Sequence, residues 1–175
     1  ALPNLPADKL PLLLTSLGLS QGNLGRYPQA LQSLQKALDS AKKANAQLSI
    51  VEAGSNIGII YWEMGQYDKA AQFLSQAMQD SRAFNMRRNE GVDSNNLGLV
   101  YKSAGQIGVA VNYIDSALAI AREVKNRRAE AIALRNRPLL PRMKGQFPPA
   151  RHHSLAALAI SPDGPLPEAQ APAPL

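Results

Sequence analysis

Between Ser55 and Ser81 the apolar residues recur at helical intervals. Ile57, Ile60, Tyr61 and Met64 follow an i, i+3, i+4, i+7 pattern, which predicts a helix with one apolar face. Gly65 follows, a residue that closes a last helical turn in the left-handed conformation. Tyr67, Ala70, Leu74, Ala77, Met78 and Ser81 then mark one face of a second helix. Small residues at Gly58 and Ala70 let the two helices approach, and Tyr61 and Leu74 fill the space beside them. Neither helix can bury that face alone, so neighbouring hairpins must stack.

The same unit recurs without a gap at a period of 40. TSLGLSQGNLGRYPQA from Thr15, SNIGIIYWEMGQYDKA from Ser55, NNLGLVYKSAGQIGVA from Asn95 and RNRPLLPRMKGQFPPA from Arg135 align directly. Gly25, Gly65, Gly105 and Gly145 are in phase, as are Ala30, Ala70, Ala110 and Ala150, and Ala37, Ala77, Ala117 and Ala157. Helices are expected near 10–24, 28–44, 48–64, 68–84, 89–104, 108–124, 128–137 and 148–160. The pattern decays at both ends. Gln21 and Gly22 replace the aromatic positions of the middle repeats, and Arg137, Pro138 and Pro141 interrupt the fourth. Proline inside a helix removes a backbone hydrogen bond and clashes with the preceding turn, so the last first-type helix should end around Asn136. Pro28 and Pro148 fall at helix starts, where proline is tolerated.

The columns Leu/Ile-Gly, Tyr, Gly-x-Tyr, Ala and Ala resemble the tetratricopeptide repeat from about Leu10 to Ile160. The usual repeat is about 34 residues. The longer period resembles the subclass found in spindle-orientation adaptors, kinesin light chain and bacterial regulators. The resemblance implies an all-α, right-handed superhelical solenoid of about three and a half to four antiparallel helix hairpins. The repeats should lie near 10–46, 47–86, 87–126 and 127–160, after a flank at 1–9. Residues 161–175 hold five prolines and little that could pack, which predicts a flexible tail.

In such a solenoid the first helix of each hairpin lines the concave face, and the resemblance implies that partner contacts lie there. Mapped onto this chain, the second repeat contributes Ser55, Asn56, Ile59, Trp62 and Glu63, and the third Asn95, Asn96, Leu99, Lys102 and Ser103. The first contributes Thr15, Ser16, Leu19 and Asn23, and the fourth Arg135, Asn136, Leu139 and Arg142. The column Asn56, Asn96, Asn136, with Ser16 ahead of it, is the most telling. A carboxamide donates and accepts, so a ladder of them can hold an extended backbone without reading its side chains. The plainer reading is that Asn tethers the next helix. Trp62, the single tryptophan, is either a contact hot spot or packing between repeats.

Charge sharpens this picture. Residues 1–81 balance six basic against six acidic side chains, whereas 82–151 carry thirteen basic and five acidic. Lys102, Arg135 and Arg142 should make the later half of the groove basic, which favours a partner bearing carboxylate or phosphate. Arg87-Arg88 and Arg127-Arg128 recur ahead of Glu90 and Glu130. They read as a basic stripe, or as helix-start architecture in which the acid suits the helix dipole. The latter is the favoured reading.

Chemistry for catalysis is sparse. His152 and His153 are the only histidines; adjacent on a helix, they diverge too far to share a metal. There is no cysteine, which excludes disulfides and thiolate ligands and fits a cytoplasmic protein. No glycine-rich phosphate loop occurs, and no segment has the roughly 20 apolar residues of a membrane span. The expected function is a non-catalytic scaffold for a protein or extended peptide, with no cofactor, and a fragment of a larger regulator. The alternatives are a basic solenoid associated with nucleic acid, or an architectural module that self-associates into a homo-oligomer through an uncapped end.

Overall fold

The computed structural model describes residues 9–138. Among them are seven helices and no strand: α1 Lys9–Asn23, α2 Tyr27–Lys43, α3 Gln47–Glu63, α4 Tyr67–Ala83, α5 Arg87–Ser103, α6 Ile107–Glu123 and α7 Arg127–Asn136. They make three complete hairpins and the first helix of a fourth. None is long and apolar enough to cross a membrane. The eighth expected helix, the flank before Lys9, the proline-rich tail, Leu139 and Arg142 lie outside the described residues.

Each helix starts one or two residues earlier than the periodicity suggested, and the turns explain why. Gly25, Gly65 and Gly105 have φ of +71°, +71° and +76°. Beside Gly65, the Gln66 N–H reaches back to the Tyr61 carbonyl at 2.9 Å, and the Gly65 N–H to the Trp62 carbonyl at 2.8 Å. This pair of bonds satisfies two orphan carbonyls of α3 within one left-handed residue. The chain is reversed so quickly that Tyr67 is already helical instead of leading into the helix. Asn45, Asn85 and Lys125, with φ of +51°, +57° and +53°, close the second helix of each hairpin in the same way. Asn tolerates this region because its short polar side chain bonds locally. Lys125 has no such compensation.

The core lies between repeats. Ala30, Leu34 and Ala37 of α2 cluster with Ala53, Ile57 and Ile60 of α3. Ala70, Leu74 and Met78 of α4 cluster with Leu97 and Val100 of α5. Ile114, Ala117 and Leu118 of α6 meet Ala133 and Leu134 of α7. Burying each of the larger side chains stabilises the stack by about 1.5–3 kcal/mol. Room for Leu74 comes from Gly58: a methyl built there would lie 2.7 Å from Leu74 Cγ and 3.2 Å from the Ala70 carbonyl oxygen.

The first helices of successive hairpins touch: α1 contacts α3, α3 contacts α5, and α5 contacts α7. The second helices α2, α4 and α6 do not touch one another. The stack therefore curves with α1, α3, α5 and α7 on its inner side. α7 stops at Asn136, and Arg137 is extended before Pro138. Arg137 stands where Ile57 and Leu97 stand in earlier repeats. It folds back instead on α6, its Nε 2.5 Å from Asp115 Oδ1 and its Nη2 3.0 Å from Oδ2.

Candidate partner-binding groove

The inner helices enclose a concave depression of about 450 Å³. It is lined from α1 by Leu12, Thr15, Ser16 and Leu19, from α3 by Glu52, Ser55, Asn56 and Ile59, and from α5 by Asn89, Val92, Asp93 and Asn96. Ser16, Asn56 and Asn96 thus share one surface, spaced by whole repeats. The carboxamides of Asn56 and Asn96 make no hydrogen bond to other described residues, although both are half-buried. Both keep a donor and an acceptor for a group entering from solvent.

Other members of the expected set are committed within the fold. Ser55 is buried and donates to the Val51 carbonyl at 2.9 Å and to Asp93 Oδ1 at 2.6 Å. Asn136 Nδ2 donates to Asn95 Oδ1 at 3.1 Å, tethering α7 to α5. Trp62 Nε1 donates to Ser103 Oγ at 2.9 Å, across the α3–α5 junction. Ile59 lines the depression, while Leu99 is half-buried further along α5. Lys102 and Arg135 are exposed and lie outside the depression. A smaller, mostly apolar hollow of about 220 Å³ opens between α5, α6 and α7, with Asn95 and Asn96 among its lining residues.

Two carboxylates in the depression stand outside the set expected from the sequence. Glu52 stands on its wall, and Asp93 at its base is almost wholly buried. Burial pushes the Asp93 carboxyl up to about 6; the hydroxyls of Ser55 and Ser81 oppose the rise by donating to it, and Asp80 adds to it. The signal was present as a break in the repeat, since the equivalent residues are Ala53 and Ala133.

The recurrent acids, with Arg87 of the recurrent arginines, form junction braces. Glu90 is buried and takes Arg82 Nε at 2.6 Å from α4 and Arg87 Nη1 at 2.5 Å from its own helix. Burial pushes the Glu90 carboxyl up, but these two arginines together hold it below the ordinary carboxylate range. Glu130 takes Arg122 Nε at 2.6 Å in the next repeat. Arg87 also meets Glu123 of α6 at 2.7 Å. Arg82 and Arg122, themselves 40 apart, extend the repeat of the acids and the arginine pairs.

Residues 10–83 match the tetratricopeptide repeat family. Among solved structures, BtubC (BKLC) from P. vanneervenii superposes with a TM-score of 0.67 at 17% identity, covering 77% of this chain and 56% of that one. The Rap conjugation gene regulator of the plasmid pLS20, in complex with the Phr* peptide, gives 0.66 at 21% identity, covering 77% and 38%. The chain thus spans little more than half of one neighbour and less than half of the other. No curated protein matches the sequence. The stacked hairpins and these likenesses show a tetratricopeptide-type fold, with the match to the family itself lying in residues 10–83.

Proposed function

We propose that the chain is a non-catalytic scaffold that holds an extended protein or peptide segment along α1, α3 and α5. The observation that carries this reading is the pair Asn56 and Asn96, side by side in one concave depression with their carboxamides uncommitted. Such groups can pair with successive peptide units in both directions. The Rap neighbour, whose solved structure contains a peptide, supports the reading at the level of the fold. Lys102 and Arg135 are exposed and take no part in the ion pairs of the described residues, which supports an acidic group at that end of the segment. The expected setting is an adaptor or regulator in the cytoplasm, in keeping with a chain free of cysteine.

Nucleic acid is disfavoured as the partner. Arg82, Arg87, Arg122 and Arg137 of the basic stretch are already paired with Glu90, Glu123, Glu130 and Asp115. The test begins with selection of binders from a displayed library of unstructured peptides. Changing both Asn56 and Asn96 to Ala should then weaken a selected peptide by about 1 kcal/mol for each bond lost. Gln79→Ala, on the exposed face of α4, should leave titration calorimetry unchanged. Equal affinity for the double variant and the wild type would remove the asparagine clamp.

A further inference from the structure

Positions 40 apart are structurally equivalent along the stack, so the hollow between α5, α6 and α7 can be set beside the junction one repeat earlier. Ile120 of α6 lines it, buried, in the place where α4 carries Asp80. Gly91 lets Ile120 stand there: a methyl built on the glycine would lie 2.9 Å from Ile120 Cγ2. The earlier counterpart of Gly91 is Val51, itself buried. Val124 and Ala129 take the places of Phe84 and Asn89. Three lining residues are therefore smaller than their equivalents, and an acid has become an isoleucine. The described helices bound the resulting space on both sides and beneath, with Val92 on α5 and Ile132 on α7.

We propose that this hollow receives one aliphatic side chain, next to an acidic residue, of the segment held along α1, α3 and α5, which rests on the scaffold reading above and names what that groove selects. Val92 and Asn96 line both the hollow and the concave depression, so a backbone paired with Asn96 has the hollow within reach of a side chain. A volume of about 220 Å³ lies below the roughly 300–1,000 Å³ of sites that enclose whole small molecules, and suits a single branched side chain. Of the amides at its edge, Asn95 already accepts from Asn136, and Asn126 from the Ala129 N–H. A polar side chain pressed against Ile120 and Val124 would lose water without replacing its hydrogen bonds. Arg88 is the one charged residue among the lining residues. It is exposed and takes no part in the ion pairs of the described residues, so it favours a carboxylate beside the buried side chain.

Peptides selected by the full chain from a library of unstructured segments test this by titration calorimetry. The expected peptides share one Leu, Ile or Val beside an Asp or Glu. Changing that aliphatic residue to Ala should weaken binding by about tenfold, since less apolar surface leaves water. Ala129→Leu, which fills the hollow from α7, should weaken the parent peptide about as much and leave the Ala-substituted peptide unaffected. Ile132→Ser, with helical circular dichroism intact, should show the same dependence by another route. Arg88→Gln should cost about threefold at low salt, and nothing for a peptide whose acid is replaced by its amide. Nuclear Overhauser effects should join the peptide methyls to those of Ile132. Peptides that need Asn56 and Asn96 but ignore Ala129→Leu and Ile132→Ser overturn the proposal and leave the scaffold standing. Recovery of no peptide removes both. Overhauser effects in the free protein between Ile132 and this chain's own residues beyond 138 also overturn it, because the space is then already filled.

Discussion

In the column Ala53, Asp93, Ala133, only the middle residue can carry a charge, and it is as buried as its neighbours. Two hydroxyls replace the water it has lost: Ser55 from α3 at 2.6 Å and Ser81 from α4 at 3.3 Å. That exchange is incomplete, so burial raises the carboxyl from 3.8 to about 6. Between those values the folded protein keeps a proton that the unfolded chain has released. Stability therefore falls as pH rises through this window. Asp93→Asn should remove the dependence, since Ser55 can still donate to the carboxamide oxygen and the amide can donate to Ser81. The variant should match wild type at about pH 4 and exceed it at neutral pH by up to about 3 kcal/mol, the equivalent of the rise. Urea unfolding of both proteins at matched pH measures this. Glu90 acts in the opposite sense, because its carboxyl is held below the ordinary range and its contribution is lost as pH falls. Being common to both proteins, it cancels from the difference.

At the scale of the helices, one substitution should have opposite signs at two glycines. Gly58 sits where α3 crosses α4, with Leu74 Cγ 2.7 Å from the place a methyl would occupy. Gly58→Ala gains about 1 kcal/mol of helix propensity but overpacks a filled junction at a cost of about 1–3 kcal/mol. A net loss in thermal midpoint is expected. Gly108, in the first turn of α6, has no atom within 4 Å of that position. Gly108→Ala should raise the midpoint, by about 0.5–1 kcal/mol at most. The turns give a third case. Lys125 holds a φ of +53° in the place of Asn45 and Asn85. Lys125→Gly should stabilise by about 1 kcal/mol, because a β-carbon strains that conformation. No gain on chemical denaturation would show that the lysine side chain compensates there.

Among the described residues each helix contacts only the next one or two along the chain. Stability is then close to a sum of neighbour terms, and damage should stay local. Leu134→Ala removes a buried side chain from α7, where it packs on Ile114 and Leu118 of α6. It should cost about 2–4 kcal/mol at that junction. Hydrogen exchange should show faster exchange in α7 and the part of α6 that faces it, with α2, α3 and α4 unchanged. Uniform loss of protection across all seven helices would mean that the stack unfolds as one unit.

Much of this architecture is written along the chain in order. Gly25, Gly65 and Gly105 announce the turns and the alanine columns announce the close contacts, because each answers a local requirement: a left-handed φ or a missing side-chain volume. Pro138 likewise stops α7 where a ring at that position must. The expected groove residues were legible only as a surface. Which of them are available was decided by neighbours from other repeats: Asn136 bonds Asn95, Trp62 bonds Ser103, and Ser55 is drawn down onto Asp93, whereas Asn56 and Asn96 meet no such partner among the described residues. The hollow between α5, α6 and α7 is of the same kind. Its aliphatic residues look like core residues in one dimension, and only the stacking of helices in three dimensions shows that they leave a space between them. Helix and turn arise from contacts within a few residues, while exposure and hydrogen-bond competition depend on what the next repeat brings alongside.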